Sequence, residues 1–282
     1  MRIRTVLTLD PSASPDDAPS ALALALASAA DAIALTVADA GHTVGSLRLR
    51  ALDALPQIRA AGKLAIVIAN HPRTRLLRDD LDALVTPDLG AVFLPHTTEP
   101  QDIRDLAVLL REFEHTRGIE PGTVRAFPMI DTARGLVRAN EIVHAAPRVA
   151  GLVFDSAAYA ADVAARDEEH GPRFAHARGA VVAAARAADT LPLIRGQGFD
   201  TVALGHYGFA GLATADARTI GPANQAFTPT QLEIAHAKAQ IAAYAAARAE
   251  GLWAARLGSR LVEAHTARRA RQLLDQAGLS VE

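Results

Sequence analysis

Cysteine is absent from this 282-residue chain. Disulfides, a thiol nucleophile and thiolate-bound zinc are thereby excluded, and the composition fits a reducing compartment. Charge of one sign is missing too. Lys and Arg together number 29 against 31 Asp and Glu, a formal net charge of −2. That balance gives no electrostatic footing for nucleic acid or an anionic membrane. Basic residues are scattered except at Arg268, Arg269 and Arg271. No apolar run is long enough to span a bilayer. The first run stops at Asp10-Pro11, too early for a signal-peptide core. The next, residues 21–30, is cut off from the basic start by Asp10, Asp16 and Asp17. A soluble, cytoplasmic protein with no nucleic-acid or membrane partner is expected. Internal repeats of solenoid period and low-complexity linkers are lacking as well.

What is present is apolar surface in short runs. Hydrophobic residues make up 50% of the chain, enough for a large core. Strand-like runs occupy residues 4–9, 32–37, 64–68, 90–95, 124–130, 149–154, 191–194 and 211–215. Continuous runs of this kind, rather than alternation, mark strands covered on both faces. Helical patterns lie between them. Residues 102–114 put Ile103, Leu106, Leu109 and Leu110 on one face. Ser20 could cap a helix over 20–29, and residues 132–146 and 174–188 read as helix. Residues 46–61 are interrupted by Pro56. Eight strands alternating with helices predict an α/β fold, a (β/α)8 TIM barrel over residues 1–227. Residues 228–282 form a C-terminal helical arm, placed on the barrel or on a neighbouring subunit. Its first helix is expected over 229–250, with Thr228 as N-cap, Pro229 first, Gln231 closing a capping box and Gly251 ending it. Residues 253–279 read as helix-prone.

Two runs end on an acid: Arg125-Ala-Phe-Pro-Met-Ile-Asp131 and Val149-Ala-Gly-Leu-Val-Phe-Asp155. In parallel α/β folds the carboxyl ends of strands carry the chemistry. Two carboxylates on neighbouring strand ends suit a hard cation such as Mg²⁺. Each acid also has a plainer use. Asp131 could cap the helix that begins near Thr132, and Asp155 could bond its own backbone in a turn. His71 and His96 fall on loops at the same end, where a base near neutral pH is useful.

The order of several blocks resembles the citrate lyase β-subunit family of the HpcH/HpaI aldolase superfamily. Ala30-Asp-Ala-Ile-Ala-Leu-Thr-Val-Ala-Asp-Ala40 is similar to that family's "ADALILDLEDA". Ile130-Asp-Thr-Ala-Arg-Gly135, Ala139-Asn-Glu-Ile142 and Pro147-Arg-Val149 resemble "IETARGL…A.EI…PRV". His176-Ala-Arg-Gly179, Asn224-Gln-Ala-Phe-Thr-Pro229 and Ser259-Arg-Leu-Val-Glu-Ala264 resemble later blocks. The resemblance implies a (β/α)8 barrel, usually a homotrimer, whose C-terminal arm reaches a neighbour's site. It implies a carbon–carbon lyase acting on a CoA thioester or small oxo acid with Mg²⁺ (or Mn²⁺).

Functional positions match less well than the scaffold. The first metal ligand falls on Asp131, one methylene short, and the second falls on Ala158, leaving Asp155 to help. The substrate-binding Arg falls on Ile68, with Asn70 kept. Asp39 is kept beside Ala38, where the family has an acid, and Thr36 stands at another acidic position. The family Lys falls on His96, and the arm acid survives as Glu263. The resemblance thus points to Asp131 for metal, with Asp155 at the neighbouring strand end able to swing in beside it, and to Asp39 and Glu263 for catalysis. Asn70, Arg73, His96 and Arg178 are the substrate-binding candidates, Arg178 toward a CoA phosphate. A non-catalytic relative that binds a ligand or serves an assembly is the second reading. Metal-free chemistry on His71, His96 and Asp131 is the third.

Overall fold

In the computed structural model, which describes residues 2–9, 21–38, 44–165 and 174–279, the eight apolar runs are eight strands. They are β1 Thr5–Leu9, β2 Ala32–Thr36, β3 Leu64–Ile68, β4 Ala91–Leu94, β5 Arg125–Ile130, β6 Gly151–Asp155, β7 Leu191–Arg195 and β8 Gly211–Thr214. Each pairs in parallel with its neighbour in sequence, and β8 returns to β1, so the barrel is closed. Closure leaves no sheet edge to protect. The chain divides into a unit of Ile3–Asn224 and a second of Gln225–Glu282 with Met1–Arg2.

Alternate strand residues fill the barrel. Val6, Ala34, Ile66, Phe93, Phe127, Met129, Val153, Leu193 and Ala213 belong to one buried cluster. The Phe93 and Phe127 rings meet at 5.3 Å, while β1, β2 and β8 give that cluster only Val and Ala. Large side chains on one wall are thus matched by small ones elsewhere, as close packing requires. Gly151 serves this directly. A Cβ there would lie 2.3 Å from the Leu191 carbonyl oxygen and 2.6 Å from the Phe127 ring.

Helices follow the apolar spacing. Pro100–Thr116 starts on a capping box between Glu99 and Asp102 and buries Ile103, Leu106 and Leu110. Val44–Ala60 runs through Pro56, giving up one backbone bond that its buried face outweighs. The helix expected over 132–146 is instead two short ones, Ala133–Val137 and Ala139–Val143, broken at Arg138 with φ −101° and ψ 7°. The proposed Ser20 cap lies outside the described residues. No described helix is long and apolar enough to cross a membrane.

The C-terminal unit differs from expectation in two places. Its long helix is Gln231–Ala249, capped by Thr230 rather than Thr228, and Glu233 rather than Gln231 closes the box. The stretch read as helix-prone from 253 opens with a hairpin. Strands β9 Ala255–Leu257 and β10 Arg260–Val262 pair antiparallel, turning where Gly258 takes φ +61°. Helix Ala264–Gln276 follows, packing Ala270 and Leu274 on Ile234, Ala237 and Ile241.

Candidate active site at the carboxyl end of the barrel

β4, β5, β6 and β7 each deliver a polar side chain at or just beyond their carboxyl ends. The loop after β4 turns at His96, whose φ of 56° is unusual for a residue with a side chain. That turn aims the His96 N–H at Asp131 Oδ2, 2.7 Å away, and places His96 Nδ1 3.1 Å from the same oxygen. The imidazole remains 55% exposed. Asp131 follows β5 and is 3% exposed. Thr132, not Asp131, caps the next helix, accepting from the Gly135 N–H at 3.0 Å. Asp131 is therefore released from capping, and its Oδ1 is buried without a hydrogen-bond partner among the described residues. Burial pushes the Asp131 carboxyl up, with the nearby Asp155 charge adding to it. The His96 amide and ring pull the other way.

Asp155 ends β6 with both oxygens engaged. Oδ1 accepts from the Ala158 N–H at 3.2 Å, capping helix Ser156–Asp162. Oδ2 forms an ion pair with the Arg195 guanidinium. Arg195 ends β7 directly opposite, since the register pairs Asp155 with Arg195. Its side chain is 37% exposed and lines a cavity of about 220 Å³ with Thr8, Asp155, Gln197 and Thr214. No sequence pattern singled out Arg195. The available signal was a charge closing the apolar run Leu191-Pro-Leu-Ile194.

The other candidates are placed differently. Asn70 is buried, its backbone N–H and Nδ2 donating to Asp80 Oδ2 at 2.8 and 2.9 Å, with Nδ2 also reaching the Val37 carbonyl at 3.1 Å. Arg48 holds Asp80 from the other side at 2.7 Å. Arg73 pairs with Glu99, which also draws Arg134 and Arg138 at 3.3 Å each. His71 is buried with Nε2 3.4 Å from Asp102. Burial lowers its pKa while Asp102 opposes, so the ring is neutral near pH 7. Arg178 is buried, its guanidinium over the rings of Phe199 and Tyr207 at 5.7 and 5.9 Å. Glu263 belongs to the C-terminal unit, an exposed residue preceding helix Ala264–Gln276, with His265 Nδ1 3.8 Å away. Asp39 lies outside the described residues.

A divalent ion tests this arrangement severely. Mg²⁺ is held by one or two carboxylates in strict octahedral geometry. Asp131 Oδ1 is a suitable donor: a buried carboxyl oxygen without a hydrogen-bond partner among the described residues. Asp155 is not, because its oxygens are taken by the Ala158 N–H and by Arg195, which also sets a positive charge beside it. Among the described residues no three His, Cys, Asp or Glu side chains group as ligands. The residues present do not fit a divalent cation. What they can do is different: His96 and Asp131 form an acid–base couple, and Arg195 offers a cation to an anionic oxygen.

The HpcH/HpaI aldolase/citrate lyase family model matches residues 14–217. The citrate lyase β subunit of Escherichia coli is 30% identical over 217 residues, 72% of this chain and 70% of that protein. A (3S)-malyl-CoA thioesterase of Cereibacter sphaeroides is 27% identical over 281 residues, covering 93% and 92%. Among solved structures, a Burkholderia xenovorans citrate lyase superposes with TM-score 0.76 at 18% identity over 98% of this chain and 91% of its own. CitE from Mycobacterium tuberculosis, in complex with magnesium, acetoacetate and coenzyme A, gives 0.68 at 20% identity over 98% of both chains. At these identities the structures establish the shared barrel.

Proposed function

The chain belongs to the HpcH/HpaI aldolase/citrate lyase family, and on that premise we propose that it is a carbon–carbon lyase working on a 3-hydroxyacyl-CoA thioester or small oxo acid by His96–Asp131 acid–base chemistry. The observation that carries this reading is Asp131 itself. It is a buried carboxylate with one oxygen against the His96 ring at 3.1 Å and the other unpartnered. A carboxylate at Nδ1 fixes the tautomer that carries its proton there, which makes Nε2 the basic nitrogen of the ring. In the cleavage direction His96 removes the proton of the substrate's 3-hydroxyl. The bond between C2 and C3 breaks as that oxygen becomes a carbonyl, and its electron pair passes to the thioester oxygen as an enolate. C2 then takes back the proton that His96 removed.

Magnesium accompanies acetoacetate and coenzyme A in the CitE complex. Here no step is routed through a metal, since Asp155 is committed to Arg195. Glu263 enters only by resemblance, as an arm acid delivered to a neighbouring barrel in a homotrimer or other homo-oligomer. Unchanged turnover in Glu263→Ala rejects that role, and light scattering tests the assembly.

Malyl-, citramalyl- and citryl-CoA are the substrates to screen, with EDTA present. Cleavage of one of them should fall by about 10²–10⁴ in His96→Ala and Asp131→Asn with the fold intact. A non-catalytic ligand-binding role is the second reading, favoured by Ile68 and Ala38. Both lie in the apolar barrel cluster where the family places charged groups. No cleavage of any of the three thioesters sinks the lyase and leaves that reading.

A further inference from the structure

We infer that Arg195 stands where a divalent cation would otherwise act, neutralising Asp155 and binding a small planar carboxylate of the substrate in the adjoining cavity. This rests on the lyase reading for the place where substrate binds, and it adds the chemical class that this wall selects.

The geometry comes from the barrel register. Neighbouring parallel strands bring Asp155 and Arg195 side by side although 40 residues separate them. A guanidinium has five N–H donors in a fixed plane. One nitrogen, Nη1, is used on Asp155 Oδ2. The side chain stays partly open to the cavity that it lines with the hydroxyl residues Thr8 and Thr214 and the amide residue Gln197. Thr214 is held in place, its hydroxyl accepting from the Asp216 N–H at 3.1 Å. A cavity of about 220 Å³ is smaller than the usual drug-sized pocket, and it suits an acid of a few carbons. A planar carboxylate matches the fork of a guanidinium. A phosphate dianion is less suited, because Asp155 already offsets the arginine's charge.

The same placement excludes the metal. With Arg195 seated, Asp155 lacks a free oxygen, and a second cation beside the guanidinium is repelled. Removing Arg195 should therefore do two opposite things. It should weaken carboxylate binding and expose a two-carboxylate site, Asp131 and Asp155, that takes up metal.

The test uses the full-length protein, with Mn²⁺ followed by electron paramagnetic resonance and pyruvate and oxaloacetate followed by calorimetry. The wild type should show no saturable Mn²⁺ binding at millimolar concentrations and should bind at least one of the two acids with EDTA present. Arg195→Ala should lose at least about tenfold in acid affinity and gain saturable Mn²⁺ binding, which a second change, Asp155→Asn, removes. Arg195→Lys, which keeps the charge, should still exclude Mn²⁺. If Arg195→Ala does not fold, Arg195→Gln carries the same two expectations. Saturable wild-type Mn²⁺ binding abolished by Asp155→Asn overturns the inference. So does a failure of the wild type to bind either acid, or unchanged acid affinity in a folded Arg195→Ala. The binding readouts are independent of turnover. Absence of thioester cleavage with these results intact removes the lyase and leaves Arg195 assigned, whereas wild-type metal binding does the reverse.

Discussion

Glu114 is 0% exposed, and its carboxylate takes four donors. The N–H groups of Gly122 and Val124 reach it at 2.9 and 2.8 Å, and Arg148 Nη1 and Nη2 at 3.2 and 2.9 Å. Arg148 also donates to the Val124 carbonyl at 2.8 Å. The pair therefore ties the end of helix Pro100–Thr116 to the segments entering β5 and β6. Glu114→Gln keeps the shape but points an amide N–H₂ at donors and leaves the buried guanidinium without its counter-charge. Breaking a buried pair from one side costs about 3–5 kcal/mol, far above the 0–1 kcal/mol of an exposed pair. For a unit of this size that lowers the thermal midpoint by roughly 10 °C. The pH dependence follows from the direction of the shift. Burial alone would raise the Glu114 carboxyl, but Arg148 and the two amides hold it below its ordinary value. A depressed carboxylate adds stability above its unfolded pKa and loses it as pH falls through the folded one. The gap between wild type and Glu114→Gln should be full at pH 7 and close in acid. Calorimetric melts across pH measure it. A midpoint within 1 °C of wild type at pH 7, or a gap unchanged in acid, refutes the reasoning.

Asp131 predicts the opposite behaviour. Its carboxyl is pushed up by burial, so the ionised form strains the fold at neutral pH and the strain eases as pH falls toward the ordinary carboxylate range. Asp131→Asn should raise the melting midpoint at pH 7, with the gain shrinking in acid, while turnover is lost. Equal or lower stability at pH 7 counts against the burial argument. Gly151→Ala sets a methyl group 2.3 Å from the Leu191 carbonyl oxygen and should cost about 1–3 kcal/mol or more, visible as lost soluble yield. Thr230→Ala removes the cap whose hydroxyl accepts from the Glu233 N–H at 3.2 Å. A loss of about 1 kcal/mol in denaturant unfolding of the full-length protein is expected.

The barrel was legible because each strand is covered on both faces, and a continuous apolar run such as Leu64-Ala-Ile-Val-Ile68 needs no partner to be recognised. Short elements were not. The hairpin of β9 and β10 has three residues in each strand, too few for alternation to register, although Gly258-Ser259 is a turn signal of its own. The helix break at Arg138 has no proline or glycine to announce it. Thr228 and Thr230 both precede plausible first turns. The structure uses Thr230, where Glu233 stands three residues on to return the bond, whereas Gln231 stands three after Thr228. In the site, Asp131 and Asp155 were visible as acids closing strands. Their partners were not, because the Asp155–Arg195 pairing exists only once β6 and β7 lie in register.

That dependence on register bears on how a family site changes without unfolding its barrel. A charge at a strand end is tolerated only with a partner or water nearby, since a buried unpaired ion is costly. An apolar residue on the same wall has no such need. At β3, Ile68 closes the barrel cluster with Ala38 beyond β2, and neither calls for compensation. At the end of β6 the family acid's position is Ala158, and Asp155, three residues earlier, takes its counter-charge from Arg195 on β7. The polar wall of this mouth is therefore β4 to β7 and the apolar wall is β2 and β3. On the proposed reading a substrate carboxylate meets a cation on β7, not on β3. Substrate orientation should be set by that displacement. On the proposed reading, Arg195 holds the carboxylate and His96 the hydroxyl of the same substrate carbon, which fixes the direction in which the C2–C3 bond leaves the site.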